Sequence, residues 1–273
     1  MKFIINIAVL FTLLFLAGCG GGGSSDDDNS RPDLMIFFVS GHTGLVNGVT
    51  GRSYLDITAG PGIIADLRSA GYSVEFEYYI DDALRVGDYG GYQELMSDME
   101  LARDELQPKG TRSIVIAHSH GAVWAHAAIN AVEALTVTAL VDLDASSFGW
   151  GDVGHDAQNS FIGGDPRNRF TINQTQTCAS YPNAPSDSSA AYDLEDVVSP
   201  NTQFALEVRG SQRTLVVGGD LYDEKWNVRE DGNVDGLSCY YSDLPFSAHS
   251  EIHNGNGTTI AFVQSWLRDT LGD

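Results

Sequence analysis

The stretch Ser113-Ile-Val-Ile-Ala-His-Ser-His-Gly121 decides how the chain is interpreted. Its first five residues form a largely apolar run that predicts a buried strand, and the small residues of segment 121–135 predict a helix packed closely on a sheet. Ser119 lies at the turn between the two elements. Ala117 and Gly121, two residues away on either side, are small enough for a very tight turn. The sequence therefore predicts a serine on a sharp strand-to-helix bend.

Strands and helices alternate on both sides of this stretch. Further strands are predicted at 34–39, 73–79, 137–143 and 214–217, and helices at 61–70, 95–106 and 260–267. The alternation predicts an α/β fold with a mostly parallel central sheet and helices on both faces. Residues 148–211 break the pattern, because they are rich in Gly, Asn, Asp, Ser and Pro and too long for a simple connection. We predict a cap-like insertion there, after the strand at 137–143.

The first residues have the features of an export signal. Lys2 precedes a nearly unbroken apolar run over residues 3–17, which is too short to span a bilayer comfortably. The run ends in Leu16-Ala17-Gly18-Cys19, a tetrapeptide that resembles the lipobox of bacterial lipoproteins. In that family the chain is cut before the cysteine, and the cysteine carries the lipids. The resemblance implies an exported protein anchored in the bacterial cell envelope.

This interpretation divides the chain into three parts. Residues 1–18 are expected to be a lipoprotein signal peptide, and residues 19–32 a flexible tether of Gly, Ser, Asp and Asn that begins at the lipid-bearing Cys19. Residues 33–273 are long enough for one α/β domain. The glycine that follows Cys19 implies, by the enterobacterial sorting rule, the outer membrane.

The net charge argues against one class of binding partner, and the number of cysteines indicates a disulfide. The formal net charge is −22, so the chain is expected to repel nucleic acid. Three cysteines are present, and one of them, Cys19, is assigned to lipid. In an exported protein the remaining pair, Cys178 and Cys239, is expected to form a disulfide in preference to a metal site or a catalytic thiol.

The bend at Ser119 resembles a known catalytic motif. Strand, Ala117-His118-Ser119-His120-Gly121 and helix together resemble the G-x-S-x-G nucleophile elbow of α/β-hydrolases of the lipase/esterase kind, with alanine as the first small residue. Residues 38–44, Phe-Val-Ser-Gly-His-Thr-Gly, resemble the HG-x-x-G oxyanion loop of that family, with Ser40 replacing its histidine. The resemblance implies Ser119 as the nucleophile and the backbone N–H groups of His42 and His120 as the oxyanion hole.

The family order of catalytic residues is serine, acid, histidine, and this chain supplies candidates in that order. His249 lies just before the last predicted helix, where the family places its histidine, with His253 as the alternative. The acid is expected a few residues beyond a strand end. Asp223 fits that position best, and Asp220 and Asp144 remain alternatives.

The implied reaction is acyl transfer from a small-molecule or lipid ester to water, with neither a cofactor nor a metal. Two other classes stay open: a surface lipoprotein that uses the same fold for binding alone, and a serine-dependent acyltransferase. Asp231-Gly-Asn-Val-Asp-Gly236 alternates oxygen side chains with glycine as calcium loops do, but it lacks their distal glutamate, which favours an acidic turn. The natural substrate and the oligomeric state are left open by the sequence.

Overall fold

The computed structural model describes a large part of the chain. The described residues are 31–41, 54–80, 90–147, 150, 159–167, 169–172, 191–209, 214–217, 220–223, 226–242, 252 and 257–272. All of them belong to the unit Arg31–Asp273. The predicted signal peptide, Cys19 and the tether up to residue 30 lie outside the described residues. Within those residues, no helix is both long and apolar enough to cross a membrane.

Strands and helices follow one another along the described parts of the chain. The strands are β1 Leu34–Ser40, β2 Val74–Ile80, β3 Arg112–His118, β4 Val137–Leu143, β5 Phe170–Thr171, β6 Ala191–Tyr192, β7 Thr202–Arg209, β8 Thr214–Val217, β9 Asp220–Asp223 and β10 Leu237–Tyr241. The helices are α1 Tyr54–Ile57, α2 Ala59–Ser69, α3 Gly90–Leu101, α4 His120–Ala131, α5 Asn159–Ile162 and α6 Thr258–Gly272. A π-helical turn Ala102–Leu106 and a 3₁₀ turn Gln107–Lys109 continue α3, and a further 3₁₀ turn spans Leu194–Asp196.

Six of these strands form the central sheet, in the order β10-β7-β4-β3-β1-β2. Every neighbouring pair in it is parallel. Strands β1 and β4 are buried along their whole length, which explains their continuous apolar sequences. The predicted α/β class with a mostly parallel sheet is confirmed. Because parallel strands end at the same edge, the ends of β1, β3, β4 and β7 lie side by side.

Helices cover both faces of the sheet, as the sequence predicts. On one face, α3 and α4 pack on Phe37, Val115 and Leu140 in a buried apolar cluster. On the other face, α2 and α6 contribute to a second cluster that contains Ile36 and Ile114. Alternate residues of each strand therefore belong to opposite layers of the core.

Two details of the predicted organisation are wrong. Thr214–Val217 is not a strand of the central sheet, because it pairs with Asp220–Asp223 in a separate antiparallel hairpin. Thr202–Arg209 is β7 of the central sheet, so the irregular segment predicted over 148–211 ends before residue 202. The sequence of β7, Thr-Gln-Phe-Ala-Leu-Glu-Val-Arg, does not have the apolar pattern of a buried strand because it contains Glu207 and Arg209. Both side chains are buried, and they pair with each other. The edge strand β10 was also missed by the sequence interpretation.

Candidate active site

Ser119 occupies the turn between β3 and α4, as the sequence predicts. Its backbone has φ 57° and ψ −136°, a conformation that residues with a side chain rarely adopt. Backbone hydrogen bonds enforce this conformation. The Ser119 N–H donates to the carbonyl of Leu143 at 3.3 Å, and the Ser119 carbonyl accepts the N–H of Ala122 at 3.0 Å. The half-buried Ser119 side chain thus stands at the carboxyl edge of the sheet.

Two glycines let the end of β1 approach this turn. A Cβ atom on Gly41 would lie 2.8 Å from the Ser119 Cβ and 2.8 Å from the His120 N. A Cβ atom on Gly121 would overlap the Val39 carbonyl oxygen and lie 2.7 Å from the Ser40 carbonyl carbon. Real Cβ atoms essentially never make contacts this short, so both positions require glycine. The second small residue of the elbow motif therefore has a steric role here.

The start of α4 is a place where negative charge is stabilised. His120 is the first residue of the helix, and the first N–H groups of a helix are not engaged by its own carbonyl groups. Such N–H groups and the helix dipole favour an anion beside Ser119. Gly41 places the segment after β1 against this point. The other predicted oxyanion donor, His42, is the next residue and lies outside the described residues.

The three candidate acids occupy two places in the fold. Asp144 directly follows β4 and is buried, with φ 50° and its N–H donated to the Val208 carbonyl at 2.7 Å. Asp220 and Asp223 are the first and last residues of β9, in the connection from β7 to β10. Asp144 therefore lies at the edge that carries Ser119, whereas Asp220 and Asp223 belong to the separate β8–β9 hairpin. The candidate histidines His249 and His253 lie outside the described residues, between β10 and α6.

A buried polar network, which the sequence interpretation missed, lies beneath this edge on the α4 face of the sheet. His126 of α4 places Nε2 at 3.1 Å from Asp142 Oδ2 and Nδ1 at 3.1 Å from the Val197 carbonyl. The Asn227 amide donates to the same Asp142 oxygen at 2.8 Å. His126, Asp142 and Asn227 are each at most 2% exposed. The sequence does contain a signal for this network, because Asp142 lies inside an otherwise apolar strand and a buried charge needs a partner.

Charged groups at the end of β7 extend this network. Arg209 lies 2.5 Å from Glu207 and 3.6 Å from Asp196, and its guanidinium stacks over the Trp226 ring at 5.4 Å. Glu207 also accepts the Asn227 backbone N–H at 2.5 Å. Because one guanidinium faces two carboxylates, negative charge is in excess here. Burial, followed by the charge of Asp193, raises the pKa of Asp196 well above its ordinary value.

Two other sequence expectations concern the acidic segment 231–236 and the cysteine of the edge strand β10. The Asp231 carboxylate and the Asn233 amide oxygen accept backbone N–H groups two residues on, each at 2.9 Å, which is the geometry of a tight acidic turn. Within the described ranges, no group of three or more His, Cys, Asp or Glu side chains is placed to hold a metal ion. Cys239 of β10 is disulfide-bonded. Cys178 lies outside the described residues, so their pairing stays a prediction.

A cavity of about 710 Å³ lies at the other end of the sheet. Asn130 from the last turn of α4 and Gln203 near the start of β7 line it, together with Arg229. The Arg229 guanidinium is held by the carbonyl groups of Ser199, Thr202 and Gln203 at 3.3, 2.9 and 3.1 Å. Since β7 starts where α4 ends, this cavity opens at the edge opposite Ser119. It is not a pocket for a substrate of that serine.

Comparison with solved structures finds similar proteins at low sequence identity. Two crystal forms of the esterase Pf2001 of Pyrococcus furiosus match at 13% and 15% identity with TM-scores of 0.43 and 0.44, covering 90% and 89% of this chain and 86% and 82% of theirs. The butyrate-bound thermophilic esterase Est2 of the planctomycete Thermogutta terrifontis matches at 13% identity and a TM-score of 0.40, covering 90% of this chain and 83% of its own. No protein-family model matches the chain, and no curated protein matches it by sequence. Sequence identities and TM-scores this low do not establish an activity for this chain.

Proposed function

We propose that the chain is a serine hydrolase that cleaves carboxylic esters through an acyl-enzyme on Ser119. The backbone of Ser119, held at φ 57° on a strand-to-helix turn, is the observation that carries the proposal. Strain of this kind costs about 1–3 kcal/mol and persists at functional sites where the surroundings enforce it. The close approaches of Gly41 and Gly121 supply that enforcement.

The proposed reaction follows the triad mechanism. His249 takes the proton of the Ser119 hydroxyl, and the serine oxygen attacks the ester carbonyl. The N–H groups of His120 and His42 stabilise the resulting oxyanion. The alcohol leaves with the proton from His249. A water molecule, deprotonated by His249, then attacks the acyl-enzyme. The bond from the acyl carbon to the Ser119 oxygen breaks, His249 returns the proton to that oxygen, and the acid is released.

The acid partner of the histidine is proposed to be Asp223, with Asp220 and Asp144 as alternatives. Its role is to hold the imidazole tautomer and to stabilise the imidazolium. Three single variants, Asp223→Asn, Asp220→Asn and Asp144→Asn, separate them, because each substitution keeps the shape and removes the charge. A loss of about 10⁴-fold in kcat is expected in one of the three. Assignment to Asp223 is wrong if its variant keeps wild-type kcat.

The test of the hydrolase proposal is hydrolysis of p-nitrophenyl butyrate together with labelling by a fluorophosphonate probe. Wild-type protein is expected to do both, and Ser119→Ala to do neither. Ser69→Ala is the matched control, because Ser69 is an exposed serine at the end of α2 that bonds to the Ala65 carbonyl of its own helix. A folded wild-type protein that is neither labelled nor active contradicts the proposal and favours a binding lipoprotein. Transfer of the butyryl group to an added alcohol, in place of water, would identify an acyltransferase.

We further propose that the protein is exported and anchored in the cell envelope, at the outer membrane, through lipid on Cys19. The lipobox-like tetrapeptide and the polar tether after it support this proposal. Incorporation of radiolabelled palmitate is expected in wild-type cells and not in a Cys19→Ser strain. Unchanged incorporation in that strain would contradict the anchor. The proposed Cys178–Cys239 bridge is tested by mapping disulfide-linked peptides without reduction.

A further inference from the structure

His126 is surrounded by hydrogen-bond acceptors. The Val197 carbonyl can only accept, so the Nδ1 atom 3.1 Å away must carry a proton. On the other side of the ring, Nε2 lies 3.1 Å from Asp142 Oδ2, which also accepts the Asn227 amide at 2.8 Å. Both ring nitrogens of His126 therefore face oxygen atoms of other elements. The raised pKa of His126 favours the imidazolium, the form in which both nitrogens donate.

This pair joins three parts of the fold behind Ser119. His126 lies about two turns along α4 from the serine, and Asp142 lies in β4 opposite Ala117, two residues before the serine. The end of β4 holds the turn through backbone bonds on both sides. It accepts the Ser119 N–H through Leu143, and the Ser146 N–H donates to the Ser119 carbonyl at 3.4 Å. A shift of α4 along β4 would therefore distort the turn.

We propose that His126 is a positioning residue, whose two charge-assisted hydrogen bonds lock α4 to β4 and to Val197 and so hold Ser119 in its attacking geometry. This inference rests on the proposed function of Ser119. Val197 adds a third element, because its neighbour Val198 donates to the Val228 carbonyl at 2.8 Å and so continues the link to the segment before β10. Misplacement of a reacting group by about 1 Å costs on the order of 100-fold in rate.

The charges around His126 favour its protonated form. Asp142 of β4 contacts it directly, and Asp196 of the 3₁₀ turn acts on it at longer range. Burial on its own lowers the pKa of His126, but the charge and hydrogen bond of Asp142, the Val197 carbonyl and Asp196 together raise that pKa above its ordinary value. The second donor is therefore kept to a higher pH than in an ordinary histidine, and it is lost as the pH rises through this raised pKa.

The neighbouring elements supply the remaining charged groups. From β7 come the carboxylate of Glu207 and the guanidinium of Arg209, which lie against each other at 2.5 Å. From the 3₁₀ turn and the residue before it come Glu195 and Asp193, and the pKa of Glu195 is raised well above its ordinary value, first by burial and then by the charge of Asp193. Glu207 and Arg209 offset each other, and the raised pKa of Glu195 favours its neutral form, so the charges that act on His126 are those of Asp142 and Asp196.

Two variants separate positioning from simple packing. In His126→Gln one amide replaces two charged donors, and we expect kcat for p-nitrophenyl butyrate to fall at least tenfold while KM stays within twofold of wild type. In Asp142→Asn the introduced amide donates to a neutral imidazole that still donates to Val197. The Asn227 amide, which donates to this position in the wild type, turns over so that its oxygen accepts, and the lock survives without its charges. Its kcat at neutral pH is expected within about threefold of wild type. The alkaline fall in kcat that His126 gives to the wild type is expected to be absent in Asp142→Asn.

Nitrogen NMR of the wild-type protein, labelled in its histidine rings, reads the state of His126 without any reference to activity. Two protonated ring nitrogens at pH 7, assigned by their loss in His126→Gln, are expected. One protonated nitrogen, or a His126→Gln protein with wild-type kcat, would overturn the inference. If the wild type hydrolyses no ester, the positioning role falls together with the proposed function. Two protonated nitrogens in such a protein would show that the failure lies with Ser119 chemistry and not with the imidazolium.

Discussion

Replacement of Gly121 by alanine tests whether the turn at Ser119 depends on close packing against β1. The added Cβ would overlap the Val39 carbonyl oxygen and would lie 2.7 and 2.8 Å from the carbonyl carbons of Ser40 and Val39. These neighbours are backbone atoms of a central strand, so no side-chain rotation relieves the contact. Strand β1 and helix α4 must then separate by about 1 Å to restore ordinary contact distances.

The expected cost follows from that separation. Inserting a methyl group into a well-packed site costs about 1–3 kcal/mol, which corresponds to roughly 4–8 °C in Tm for a domain of this size at the middle of that range. The same movement carries Ser119 away from the segment that begins at Gly41. We expect labelling by the fluorophosphonate probe to slow by about 100-fold.

Gly62→Ala is the matched control, because it makes the same chemical change in helix α2. Its Cβ would meet nothing closer than Gln264 Nε2 at 3.5 Å, an ordinary contact. Alanine is favoured over glycine in a helix by about 1 kcal/mol, so this variant should gain stability and keep full labelling. Thermal unfolding and labelling rates are measured on both proteins. A Gly121→Ala protein with the Tm and labelling rate of wild type would refute the close-packing argument.

Three further outcomes are expected. Ser119→Gly should unfold at higher temperature than Ser119→Ala, by about 1 kcal/mol in stability, because glycine adopts φ 57° without strain; equal melting temperatures would show that the turn is unstrained. Glu195→Gln should stabilise the protein more at pH 8 than at pH 5. A carboxyl group whose pKa is raised by folding lowers the free energy of unfolding as the pH rises above the ordinary glutamate range, and glutamine removes this loss. An effect in urea unfolding that does not depend on pH would contradict this prediction. The free energy of unfolding of the wild type should also fall as the pH rises from about 6.5 through the raised pKa of His126, because the folded state binds a proton that the unfolded state has released. This fall should be smaller in His126→Gln. Parallel curves of unfolding free energy against pH for the two proteins would contradict the prediction.

The sequence was most informative where the local pattern and the tertiary role agree. Strands β1, β3 and β4 are buried on both faces, so their apolar runs could be recognised without any knowledge of their neighbours. The Ser119 turn was recognisable for a similar reason. Small residues two positions before and after a serine, between a strand and a helix, are a local steric requirement.

Strand β7 could not be recognised because its burial depends on distant residues. Its exposed Phe204 and its buried Glu207 and Arg209 reverse the usual relation between polarity and burial. Arg209 is buried because it pairs with Glu207 and lies over Trp226, which comes from a later part of the chain. The run Thr214–Val217 is apolar and β-branched, so it resembles a central strand, but it pairs locally with β9. Propensity identifies a strand in both cases and does not identify its partner.

The buried network around His126 illustrates the same limit. A histidine in an alanine-rich helix and an aspartate in an apolar strand each indicate that a partner exists, but they lie sixteen positions apart, across a helix-to-strand connection. The pairing is set by how α4 lies on the sheet, which is a property of the whole fold.

Whether Ser119 is an activated nucleophile is tested most directly by mapping the site of fluorophosphonate modification by mass spectrometry of the folded wild-type protein. One adduct per chain is expected, located on Ser119, and no adduct is expected when the protein is unfolded before labelling. An adduct on any other residue, or an equal yield from the unfolded chain, would contradict an activated serine at the β3–α4 turn.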